Sequence, residues 1–135
     1  MLNLPKWFFG VAKMTIMDSK KSKALDLDVA LAHVDNDSQF LSELASMFVQ
    51  DYPRLIEEAR SSILQNDYAG LERAAHTLKG RLAFFGMRFL RDQLLNLEMM
   101  GRNSDLTQAD KALAEIELEM KSILPEFESL VREQN

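Results

Sequence analysis

Apolar residues recur along most of this chain at spacings of three and four, the period of helices with one buried face. Between Ser38 and Leu64 they fall at Phe40, Leu41, Leu44, Met47, Phe48, Tyr52, Leu55, Ile56, Ala59 and Ile63, which predicts one long helix. Pro53 lies inside that stripe and predicts a kink or a local break, because it removes a backbone donor and crowds the preceding turn. Leu71, Ala75, Leu78, Leu82 and Phe85 define a second stripe that Gly86 ends or bends. Leu90, Leu94 and Leu97 continue it from Met87 to Met100. The last helix is predicted from about Leu106 to Val131, with Ala109, Leu113, Ile116, Met120, Ile123, Phe127 and Leu130 inward and Pro125 interrupting it. Leu25 to Val34 predicts a brief first helix. Asp35-Asn36-Asp37-Ser38, Gln65-Asn66-Asp67 and Gly101-Arg102-Asn103-Ser104-Asp105 read as breaks or turns, the first offering N-caps and Asp67 supplying another.

No segment alternates with period two at strand length. The expected fold is therefore all-α: an up-down antiparallel four-helix bundle with an additional short N-terminal helix, joined by short connections. Residues 25–135 form the expected bundle domain and residues 1–24 a tail or linker, in part helical. Trp7, Phe8 and Phe9 between Lys6 and Lys13 suit either a membrane surface or packing on the bundle. The second is favoured, together with a remnant of a longer chain or an upstream start, since the segment is short and weakly charged.

Composition narrows the chemistry. With 135 residues, 47% of them apolar, the chain suffices for one folded core. It has no cysteine and only two histidines, His33 and His76, so disulfides, thiol catalysis and histidine-rich metal sites are excluded. No intrinsic metal or cofactor is expected, and a reducing, cytoplasmic setting suits the composition. A net charge of −5 argues against nucleic acid as a partner. No apolar run approaches the roughly 20 residues of a membrane span. The charge is uneven, however. Between Leu71 and Arg91, Arg73, Lys79, Arg81, Arg88 and Arg91 face Glu72 alone, a local surplus of +4.

That basic region surrounds His76. On a helical wheel with Leu78 at zero, His76 falls near ~160°, opposite the buried stripe. Gly80 lies one turn later on the same outward strip, and Ala83 continues it. Glycine inside a helix costs about 1 kcal/mol relative to alanine. A bare strip beside an exposed imidazole gives room for a phosphate or another protein's backbone. Lys79, three residues on, is placed to neutralise phosphate oxygens. Neutral imidazole is a good nucleophile near pH 7, and phosphoryl transfer needs mainly alignment and charge stabilisation.

Ala75-His76-Thr77-Leu78-Lys79-Gly80, with Gly86 ten residues after the histidine, resembles the histidine-containing phosphotransfer (HPt) domain of multistep two-component relays. Asp51-Tyr52-Pro53-Arg54-Leu55, Asn66-Asp67-Tyr68 and Leu97-Glu98 extend the resemblance over roughly residues 25–131. It implies a monomeric carrier whose His76 accepts phosphate on its outer ring nitrogen, with Lys79 stabilising the phosphate and Gly80 leaving it room. Glu98 would hold the other ring nitrogen. The implied partners are receiver domains of hybrid sensor kinases and response regulators, which bring the aspartate and the Mg²⁺. Arg81 after the glycine and Phe84-Phe85 before Gly86 depart from the family pattern. Gly80, Ala83, Phe84, Arg73 and Arg81 are the candidate receiver-facing residues, and Arg81 is otherwise left to solvent. His33 has no such context and reads as structural or solvated. The eight methionines read mostly as core filler.

No P-loop or kinase motif is present, so autonomous phosphorylation from ATP is not expected. Two alternatives remain at this level: the phosphoacceptor domain of a chemotaxis-type histidine kinase, and a helical adaptor that binds receivers without transfer.

Overall fold

The computed structural model describes residues 25–133, and the expected tail at 1–24 lies outside the described residues. Five helices follow one another: α1 (Leu27–Ala32), α2 (Ser38–Leu64), α3 (Tyr68–Phe84), α4 (Arg88–Arg102) and α5 (Ala109–Glu133). The four long ones form the expected bundle. α2 packs on α3 and α5, and α4 packs on the same two.

The helix starts follow from aspartates. Asp26, Asp37 and Asp67 each accept a hydrogen bond from the backbone N–H three residues on, satisfying a donor that the first turn leaves orphaned. The stop of α3 follows from Gly86, whose φ of +75° is left-handed. Its N–H donates to the Ala83 carbonyl and that of Met87 to the Leu82 carbonyl, the doubly bonded helix end that glycine permits. α3 and α4 are therefore two helices rather than one bent one.

The interior matches the apolar stripes at most positions. All five stripe residues of α3 and its cap, and all seven predicted for the last helix, are buried. Phe48, Phe85 and Phe127 form an aromatic cluster with ring centroids 4.9–5.8 Å apart.

Five expectations are corrected. α2 and α5 run unbroken through Pro53 and Pro125. Pro53 is exposed, so solvent can take the carbonyl it leaves without a donor. Phe40 and Met47 lie outside the core, which takes Ala45, Ser42 and Ser62 from that helix instead. Gly101 belongs to α4 and is buried, the turn beginning only after Arg102. The last helix begins at Ala109, because Asp105 accepts hydrogen bonds from both the N–H and the hydroxyl of Thr107 and holds that segment in a turn. Methionine is also less of a core residue than expected: of the described methionines only Met87 and Met120 are buried.

Candidate functional site

His76 projects from the middle of α3 with 68% of its side chain exposed, as the wheel predicts. The buried stripe of α3 fixes this orientation, since Ala75 and Leu78 on either side are inside the bundle. Its Nδ1 lies 3.2 Å from Oε1 of Glu98, which α4 presents from 22 residues away. Glu98 is only 3% exposed. The same Oε1 accepts from Lys79 Nζ at 2.8 Å. Burial pushes the Glu98 carboxyl up, but the hydrogen bonds from Lys79 and His76 outweigh it and leave it below the ordinary carboxylate value.

The tautomer follows from that ionisation. A carboxylate can only accept, so Nδ1 carries the ring proton and donates it. Nε2 is left with its lone pair directed away from Glu98, on the exposed edge of the ring. An imidazole held this way is a nucleophile of defined orientation.

Gly80 keeps the approach open. A Cβ built there would meet nothing within 4 Å. Gly80→Ala is therefore expected to raise stability by about 0.5–1 kcal/mol through helix propensity alone. Gly80→Phe should leave the melting temperature nearly unchanged and slow transfer to a partner. Thermal unfolding beside a transfer assay separates the two effects.

Next to this strip a groove opens between α2 and α3. Leu44, Met47, Phe48, Phe84 and Phe85 give it an apolar lining, and His76 and Gly80 stand on its wall. Met47 is 64% exposed there. Arg81 and Asp51 close the polar side of the groove with an ion pair between α3 and α2. Hydrogen bonds from Arg54 and Arg81 hold the Asp51 carboxyl down at about 2.

The sequence-predicted residues thus divide. His76, Lys79 and Glu98 come together around one carboxylate oxygen, while Gly80 borders the free edge. Arg81, left by the sequence to a partner or to solvent, has Asp51 within its own chain. Phe84 is half-buried rather than pointing free: it lies 4.8 Å from the His33 ring, and its carbonyl accepts from His33 Nδ1 at 2.9 Å. That contact gives His33 a structural role, tying α1 to the end of α3. Ala83 is half-buried, and Arg73 is exposed one turn before the site. The sequence reading missed Asp51, Glu72 and Arg102 as site neighbours. Only Glu98 and Arg102, four apart on one helix, left a local signal.

An exposed, carboxylate-held histidine on a four-helix bundle defines the class of histidine phosphotransfer modules. The Hpt domain family model matches residues 43–126, well over half of the chain, and the chain belongs to that family. Two solved structures share the fold. Histidine-containing phosphotransfer protein B (HptB) from Pseudomonas aeruginosa PAO1 superposes with a TM-score of 0.76 at 21% identity, over 82% of this chain and 96% of that one. The HPT domain of the Hpt sensor hybrid histidine kinase from Shewanella gives 0.70 at 18% identity, over 83% and 97%. A comparison with curated proteins gives no match. Among the described residues no helix is long and apolar enough to cross a membrane. None of them gathers three His, Asp or Glu side chains as a metal site would need.

Proposed function

We propose that this chain is a phosphoryl carrier of a multistep two-component relay, with His76 taking a phosphoryl group from one receiver aspartate and passing it to another. The observation that carries this reading is the exposed imidazole whose Nδ1 proton is held on a buried carboxylate. The lone pair of Nε2 attacks the phosphorus of an aspartyl phosphate. The N–P bond forms as the P–O bond to the aspartate breaks, and the aspartate leaves as a carboxylate. The positive charge that the ring gains is shared through Nδ1–H with Glu98. The return step is the reverse reaction on a second receiver.

The receiver would hold the Mg²⁺, and this chain would supply the nucleophile, its orientation and a docking face. The apolar groove beside His76, with Gly80 and Phe84 on its wall, is the face we assign to the receiver, with Ala83, Arg73 and Arg81 around it. We take 25–135 as the bundle domain and 1–24 as its tail. We also take the carrier to be a cytoplasmic monomer without kinase activity of its own.

Lys79 has to serve two anions in turn. It rests on Glu98 until phosphate oxygens arrive with more charge and compete for it. Lys79→Ala is expected to slow transfer roughly ten- to a hundredfold, less than the loss of an enclosed oxyanion donor. Its place off the core stripe predicts no cost to folding, but its ion pair with a buried carboxylate adds a cost of about 1–3 kcal/mol. Transfer kinetics and thermal unfolding read these separately, and an unchanged rate would remove the role.

The test of the reading is covalent. Incubation with a phosphorylated receiver and Mg²⁺ should give an acid-labile, base-stable label. A chain that takes no label is not a relay carrier. Label obtained only from an ATP-bound kinase core would move it to the chemotaxis-type kinases.

A further inference from the structure

A carboxylate as buried as Glu98 needs partners on both oxygens. Oε1 serves His76 and Lys79. Oε2 accepts from an Nη of Arg102 at 3.3 Å. The same guanidinium donates from Nε to Oε2 of Glu72 at 2.7 Å. Glu72 stands one helical turn before His76 on α3, whereas Arg102 follows Glu98 by one turn on α4.

We infer that Arg102 is a positioning residue of the His76 site: by bridging Glu72 and Glu98 it holds the Glu98 carboxylate with Oε1 toward the imidazole. The inference rests on the reading of His76 as phosphoacceptor, and adds a residue that touches neither the ring nor the phosphate.

Two physical arguments support it. The terminal torsion of a glutamate is broad, so the carboxylate orients only where its partners fix it. Lys79 is a point charge on a flexible stem and fixes distance better than direction. Arg102 presents a planar fork whose two ends are already committed to two carboxylates on two helices. The second argument is charge. Glu72 and Glu98 carry two negative charges, and Lys79 and Arg102 balance them. Without Arg102, Glu98 is left with Lys79 as its one full cationic partner among the described residues and holds it more firmly against an incoming phosphate.

The test uses the full chain labelled with ¹⁵N and reads the imidazole nitrogens in long-range proton–nitrogen spectra. The chain holds only two histidines, so His33, bonded to the Phe84 carbonyl, serves as internal reference. Wild type should show His76 as the Nδ1–H tautomer. In Arg102→Gln the His76 nitrogens should move toward a mixture of tautomers while His33 stays in place. Transfer should fall roughly three- to tenfold, as when an orienting hydrogen bond is weakened rather than lost. Arg102→Lys should recover only part of the rate, since one ammonium does not reproduce the fork. Glu72→Gln should shift His76 in the same direction but less.

An unchanged His76 tautomer in Arg102→Gln overturns the inference. So does an equal displacement of both histidines with a lowered melting temperature, which marks a merely structural role, or full rescue by lysine. The tautomer is read on the unphosphorylated chain. A wild type that takes no phosphoryl group therefore overturns the relay reading and leaves the measurement of Arg102 standing.

Discussion

His76→Gln is expected to reduce phosphoryl label to background while leaving the fold as stable as wild type. The two halves of that result have separate causes. The side chain is 68% exposed and contributes little to the core, so its replacement should stay within about 0.5 kcal/mol. A glutamine amide can still donate to Glu98 and keep that buried carboxylate satisfied. What it lacks is a nucleophilic lone pair on nitrogen, because the amide nitrogen's pair is delocalised into the carbonyl. Lys79, Glu98 and the groove remain, so docking should persist and only the covalent step should vanish. His33 is the control. Its Nδ1 is engaged by the Phe84 carbonyl, and among the described residues no lysine or carboxylate is bonded to its ring. His33→Gln should keep full label. Label that persists in His76→Gln and disappears in the double variant would transfer the acceptor role to His33 and refute the assignment.

Much of this site was legible because it depends on local periodicity. The outward position of His76, the bare Gly80 and the inward Leu71, Ala75, Leu78 and Leu82 are properties of a single helix, and 100° per residue suffices to place them. The capping aspartates and Gly86 are local in the same sense. Errors arose where the answer depends on a neighbouring helix. Phe40 and Met47 fit the apolar period of α2, but the width of the buried face is set by how α3 and α5 lean on it, and both residues fall outside that width. Gly101 resembled a turn residue because glycine often ends helices; it lies inside α4 because another backbone passes there. Arg81 with Asp51 and Arg102 with Glu72 are each 30 residues apart. No spacing rule within one helix reports the register between two. Glu98 was reached through family resemblance, and its 3.2 Å contact with His76 is the part of that register the resemblance carried.

The same register makes Gly101 a position where a single methyl group should damage both the packing and the site. A Cβ there would stand 2.8 Å from both the Glu72 nitrogen and the Tyr68 carbonyl oxygen, and 3.2 Å from the Glu72 Cα. These are backbone atoms of α3, and none can turn aside as a side chain tip would. Gly101→Ala must therefore push α4 away from α3. Overpacking of this kind costs typically about 1–3 kcal/mol, of which better helix propensity returns up to about 1 kcal/mol. The melting temperature should fall by several degrees. The displacement also has a chemical consequence, because Gly101 sits between Glu98 and Arg102 and faces Glu72. Separating the helices stretches the Glu72–Arg102 bridge and draws Glu98 back from His76. Transfer should slow even at temperatures where the variant is fully folded, with the His76 tautomer shifting as it does in Arg102→Gln. Gly80→Ala supplies the contrast: it lies closer to the imidazole along the chain, meets nothing, and should stabilise. If Gly101→Ala melts with wild type and transfers at the wild-type rate, the close approach of α3 and α4 does not set the distance from Glu98 to His76.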